Sequence, residues 1–246
     1  MRNSLIAKFI SFLLISPLSI NPALSQNIDK HLLGNQLEKV LNEKKSSLLK
    51  ELFLKKSFNQ FNKQYTDFNK KYKDSKWLIR TIRNQGNKAF LDIEIKSNRE
   101  VGDQIYNLRS KLIVEIETFN NKIKSYNIIN SESILNSKDS PLVIKVVSPD
   151  DVLTGERYEI NLIIERPLDK SLIAGGMIVV ENKKGINISN NMFSIKPNQS
   201  GGLFKYIQAP LEPGFQTVSA IIAHPEGIYS ITKTIKVGLS KTTFNN

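Results

Sequence analysis

The chain has 246 residues, 35 Lys and Arg against 23 Asp and Glu, two His and no Cys. These counts exclude disulfide scaffolds, cysteine nucleophiles, thiolate metal sites and lipid attachment through Cys. With only His31 and His224, they exclude a multi-histidine metal centre as well. Hydrophobic residues at 40% and charged residues at 24% suit a folded globular protein. The net charge of +12 rests mostly on Lys, in a chain also rich in Asn and Ile. These three residues share AT-rich codons, and Lys is poorer than Arg at bidentate phosphate or base recognition. No nucleic-acid partner is expected on this basis.

Residues 1–25 read as a signal peptide. Arg2 and Lys8 precede the apolar run Phe9 to Ile15, followed by Pro17, Pro22 and Ala23-Leu24-Ser25. This is a charged region, a short apolar region and a small-x-small cleavage site. The run falls short of the ~20 residues that a membrane span needs. Cleavage is expected between Ser25 and Gln26. It would release an exported protein into the periplasm or another extracytoplasmic space.

From about Asn35 to Lys73 the periodicity is helical. Leu37, Leu41, Leu48 and Leu52 lie near one face, and Phe58, Phe61, Tyr65, Phe68 and Tyr72 repeat at spacings of three and four. Gly34-Asn35 is a plausible cap ahead of Leu37, and the phase shifts around Lys56-Ser57, where a second helix with Ser57 as N-cap is expected. Residues 26–80 carry 13 basic against 6 acidic side chains, so the excess charge sits on this segment. Lys55, Lys56, Lys63, Lys70, Lys71, Lys73 and Lys76 form its basic face. That face is either a solvated helix surface or a contact for anionic lipid headgroups or an acidic partner.

After Asp74-Ser75 the period becomes two. Strands are expected at Trp77 to Arg83, Ala89 to Lys96, Tyr106 to Glu117 and Lys122 to Ile129, joined by turns at Asn84–Asn87, Val101–Asp103 and Asn120-Asn121. Leu91, Ile93, Ile95, Leu108, Leu112, Val114 and Ile116 share the inward parity, whereas Asp92, Glu94, Glu115 and Glu117 have the opposite one. Helices followed by consecutive hairpins give an α+β domain with helices packed on a curved antiparallel sheet, placed at 26–138. The polar stretch Asn136 to Pro141 breaks both periods and marks the boundary. Beyond it, strands are expected at Leu142–Val147, Arg157–Glu165, Ile173–Glu181, Leu203–Gln208, Thr217–Ala223 and Ile228–Val237. Turns are read at Ser148–Asp150, Pro167–Asp169, Asn182–Gly185, Pro210–Gly214 and His224–Gly227, so residues 140–246 are expected to form a β-sandwich.

Two pattern-level resemblances follow. The aromatic helices, the Trp in Lys76-Trp77-Leu78-Ile79 and the closing Phe119-Asn120-Asn121-Lys122-Ile123 resemble the nuclear-transport-factor-2-like (SnoaL-like) fold. Members of that class include enzymes, binding proteins and interaction modules, so the resemblance implies a fold rather than an activity. Pro213 to Ala220 and the hairpin around His224-Pro225-Glu226-Gly227 resemble the closing strands of an immunoglobulin-like domain.

No catalytic constellation is legible. His31 lies just after the cleavage site and His224 in a Pro-Gly turn, and neither has a local partner motif. Gly175-Gly176 and Gly201-Gly202 do not lead into helical patterns, so they read as turns or bulges rather than phosphate loops. No cofactor is called for. The aromatic stripe Phe58, Phe61, Tyr65, Phe68 and Tyr72 with Trp77 has two readings. One is core packing of helix on sheet. The other is an apolar pocket in which Tyr65 or Tyr72 supplies a polar handle. The expectation is a non-enzymatic adaptor with a protein partner, or else a carrier of a small apolar ligand between helices and sheet.

Overall fold

A computed structural model describes residues 30–140, 142–165, 172–181, 194–198, 201–225 and 227–240. The signal segment and the expected turns at Pro167–Asp169 and Asn182–Gly185 lie outside these residues. Three helices come first: α1 (Lys30–Glu43), α2 (Ser46–Leu52) and α3 (Lys55–Lys71). Twelve strands follow: β1 (Lys76–Gln85), β2 (Lys88–Val101), β3 (Gln104–Phe119), β4 (Lys122–Ser137), β5 (Ile144–Val147), β6 (Asp151–Leu153), β7 (Arg157–Ile164), β8 (Ile173–Glu181), β9 (Lys196–Asn198), β10 (Gly202–Gln208), β11 (Gly214–His224) and β12 (Gly227–Gly238). Among the described residues, no helix is long and apolar enough to cross a membrane.

The helical segment divides differently from its sequence periodicity. It breaks at Lys44-Lys45 and at Phe53-Leu54, not at Lys56-Ser57. Leu54, not Ser57, occupies the cap position of α3. Phe53 forms a one-residue parallel bridge with Ile123, and the Leu54 N–H donates to the Ile123 carbonyl at 2.9 Å. The Ser57 hydroxyl donates to that same carbonyl at 2.7 Å. A backbone excursion to the sheet therefore sets the break, and a periodicity argument has no access to it. Gly34 is not a cap either. It lies inside α1, where a Cβ would stand 2.9 Å from Thr81 Oγ1. Its missing side chain lets the helix press against β1.

A large sheet has the order β1-β2-β3-β4-β12-β11-β8-β9, antiparallel throughout, and β6 adds to β12 in parallel. A three-stranded sheet has the order β10-β7-β5. The Asn136 to Pro141 stretch, read as a boundary, contains the end of β4. The second half of β4 pairs with β12 from Ser131↔Thr234 to Asn136↔Tyr229, so the large sheet runs unbroken from the first half of the chain into the second.

Register shows which side chains share a face. Leu112 stands opposite Ser131, and Ser131 opposite Thr234, with the Ser131 and Thr234 hydroxyls 2.9 Å apart. The face that carries Leu112 lies under the helices. It buries Leu91, Ile93, Ile95, Val114 and Ile116 against Leu37, Leu41, Leu49, Phe53 and Tyr65. In β12, Ile231 and Ile235 have the opposite parity to Thr234. They belong to a second core with Val218, Ala220 and Ile222 of β11, packed against Tyr158, Ile160 and Leu162 of β7 and Ile207 of β10. The two cores thus occupy opposite faces of one sheet.

The free edge of β1 is closed by α1. Asn42 both donates to the Trp77 carbonyl and accepts from the Trp77 N–H, each at 2.9 Å, and the Glu38 carboxylate accepts the Ile79 N–H at 2.7 Å. An exposed strand edge is a template for unwanted pairing, and here helical side chains take the place of a neighbouring strand.

Candidate functional site: an apolar cavity under the third helix

The buried face of α3 carries Ser57, Phe61, Tyr65 and Phe68 at helical spacing, and Lys56, Lys63 and Lys70 fall on its back. Phe61 stacks on Phe53 with centroids 4.9 Å apart and meets Tyr126 edge-on at 5.7 Å. Further along, Tyr65 lies 6.1 Å from Trp77, and Phe68 meets Trp77 edge-on at 5.6 Å. These rings arch over the aliphatic side chains of β2 and β3 without filling the space beneath. A cavity of about 260 Å3 remains, lined by Phe61, Tyr65, Phe68, Trp77 and the inward side chains of the strands.

Four of the six expected pocket residues therefore line one cavity. The other two do not. Phe58 is a half-buried residue packed against the same core, and Tyr72 stacks on Phe68 at 4.9 Å with the Arg99 guanidinium 6.0 Å from its ring centre. Neither expected polar handle serves. Tyr72 lies outside the cavity, and the Tyr65 hydroxyl donates to the Leu41 carbonyl at 2.8 Å in a buried bond. The polar groups that reach the cavity are Tyr126 and Gln64, which sequence reasoning missed. The Tyr126 hydroxyl donates to Gln64 Oε1 at 2.8 Å and straps β4 to α3. Gln64 is exposed, Tyr126 half-buried and Ile128 41% exposed, so this side is the mouth. Burial raises the Tyr126 hydroxyl above the usual phenol range, which keeps it a donor at neutral pH.

The acids flanking the strands stay out of the cavity, as their parity predicts. Glu115 pairs with Lys88 at 2.7 Å and Glu117 with Lys124 at 2.8 Å. The hydrogen bond from Lys124 is the main cause holding Glu117 below the usual carboxylate range. Among the described residues lining the cavity, no carboxylate, His, Lys or Arg is present. The seven lysines of the basic face are all exposed, and Lys70 pairs with Asp67 at 3.1 Å. His31 lies in the first turn of α1 and His224 at the end of β11, and neither lines the cavity. Gly175 and Gly176 lie within β8 rather than at a turn, and a Cβ on Gly176 would stand 2.5 Å from the Ser194 carbonyl oxygen.

Residues 139–238 match a family described as a domain of unknown function (DUF8623). The matched segment begins one residue before the expected start of the second domain and ends on the last residue of β12. It covers the second core and leaves the cavity outside. No curated protein matches the chain.

Proposed function

We propose that the protein is an exported, non-enzymatic binding protein that holds a small apolar ligand under α3. The observation that carries this reading is the unfilled, apolar cavity of about 260 Å3 at the position of the aromatic stripe. Protein cores are packed to crystal-like density, so a void of this size in a ring-rich core is a departure that a ligand would explain. Its volume lies between the ~150 Å3 of an engineered cavity that takes benzene and the ~300 Å3 at which drug-sized pockets begin. A substituted single ring or a short acyl chain matches it. The lack of a carboxylate, His, Lys or Arg among the described lining residues supports binding rather than conversion. The resemblance of the first half to the nuclear-transport-factor-2-like fold is consistent with this, because that fold hosts binding proteins among other activities.

Trp77, the single Trp of the chain, lines the cavity and reports on it. Titration with toluene or 1-octanol should change Trp77 emission saturably, and Val114→Phe, which fills the cavity, should abolish the change. An unsaturable response, or one that survives Val114→Phe, would remove the reading.

A second reading, an adaptor for a protein partner, is favoured by a separate observation. Phe204 and Tyr206 of β10 are 58% and 71% exposed on the outer face of the three-stranded sheet. In this reading the second half is an immunoglobulin-like sandwich that presents an aromatic strand. Phe204→Ser with Tyr206→Ser should then abolish capture of a partner from the native envelope and leave Trp77 titrations unchanged.

A further inference from the structure

On the face opposite the helices, a groove of about 500 Å3 lies between β2, β3 and β4 and the segment that leads into β5. Two cross-strand rows form its floor. In one, Lys96 stands directly opposite Arg109. In the next, Asn98 stands opposite Asn107, Asn107 opposite Asn136, and Asn136 opposite Tyr229. All six side chains line the groove, and Leu142 and Ile144 supply an apolar wall.

One feature of this floor runs against stability. Like charges directly opposite each other in a sheet repel, and neither Lys96 nor Arg109 forms an ion pair among the described residues. Among the described residues that line the groove there is no carboxylate. Glu132, the acid nearest Tyr229 in charge effect, is engaged by Lys233 at 3.6 Å. Tyr229 is only 6% exposed and packs into the second core while also lining the groove, so what it offers a guest is its hydroxyl. Burial pushes this hydroxyl up to about 12, so it stays protonated and able to donate. A pair of like cations held side by side in a concave place marks a candidate site for an anionic guest.

We propose that this groove binds a compact organic oxyanion that also carries hydroxyl groups, a sugar acid or a sugar phosphate. The oxyanion would neutralise Lys96 and Arg109. Its hydroxyls would lie along the asparagine row, where amides offer both donors and acceptors. Tyr229 would donate from the closed end. The site is separate from the cavity under α3, on the other side of the sheet, so either can fail without the other.

The test measures thermal stability and calorimetric binding of the full chain with D-glucuronate, D-glucose 6-phosphate and D-glucose. At least one of the two anions should raise the melting temperature saturably and glucose should not; the stronger arm identifies the oxyanion as carboxylate or phosphate. Arg109→Ala and Lys96→Ala, at exposed positions that leave folding intact, should each weaken binding by about tenfold or more, the scale of one charge-assisted hydrogen bond. Tyr229→Phe should weaken it less, without loss of stability. The proposal is overturned if neither anion binds, if glucose binds as well as they do, or if binding survives loss of both cations.

Discussion

Under the helices, large rings stand over aliphatic strands and leave about 260 Å3 unfilled. Under the three-stranded sheet, on the other face, the space is filled mostly by aliphatic side chains, with Leu162, Ala220, Ile222 and Ile235 all fully buried. Both cores draw on the same sheet, and both alternate apolar with polar residues at a period of two. The difference lies in what covers them. A strand lays its side chains down at a regular pitch that a facing sheet can interdigitate. A helix carrying Phe61, Tyr65 and Phe68 at three- and four-residue steps holds rings at a fixed height above the sheet. Alternation alone therefore specifies a core without specifying that it is full.

The largest test of this contrast is truncation in each core. Leu162→Ala removes a fully buried side chain from the closed core and is expected to destabilise by about 3–5 kcal/mol in urea unfolding. Leu112→Ala, at the half-buried wall of the cavity, should cost about 1–2 kcal/mol because the space beside it is already empty. Equal losses would mean that the cavity collapses in solution.

Enlargement tests the converse. Val218→Phe should cost about 1–3 kcal/mol through overpacking, whereas Val114→Phe should be close to neutral because its ring enters existing space. At the sheet edge, Asn42→Leu removes two hydrogen bonds to Trp77 and should cost about 1–2 kcal/mol. It should also produce concentration-dependent association by light scattering, because the edge of β1 is uncovered.

A smaller effect concerns pH. Lys233 of β12 is nearly buried and pairs with Asp150 at 2.8 Å. Burial raises the Asp150 carboxyl, but the hydrogen bond and charge of Lys233, with help from Asn130, outweigh it and leave the group below its ordinary value. A depressed folded-state value means that the unfolded chain binds the extra proton. The stabilisation is present above the ordinary Asp range near pH 4 and is lost as the pH falls through the lowered value. Asp150→Asn should flatten that part of the stability profile on acidification. The weakest expected effect is on membranes. If the lysines on the back of α3 meet anionic lipid, sedimentation with phosphatidylserine vesicles should fall with added salt and with Lys56, Lys63 and Lys70 changed to Gln.

Much of this fold was legible in the residues, and the illegible parts share a cause. The hairpins of β1 to β4 follow from alternation and from the turns, including Asn120 and Asn121, both at positive φ. β2 and β4 overrun their expected ends because Ser97, Ser131 and Ser133 place hydroxyls on the inner face, where a sequence reading looks for apolar side chains. The Ser110 and Ser133 hydroxyls sit 2.6 Å apart, each satisfying the other. Two register shifts between β3 and β4 further blur the period of β4. The three residues of β6 are too few to show any period. In the candidate site, helical spacing placed Phe61, Tyr65 and Phe68, and the opening of β1 placed Trp77. Whether a ring faces the void, a neighbouring ring or a carbonyl depends on partners such as Leu41, 24 positions from Tyr65, and Gln64, 62 positions from Tyr126, which spacing does not encode.

The pairing of β4 with β12 constrains how the molecule could be divided. Excised at residue 139, where the family match begins, the later strands would carry away β12 with Tyr229 to Thr234 bare on the side that β4 had occupied. Six residues of main chain would then seek new partners, and a second excised copy offers the same ribbon.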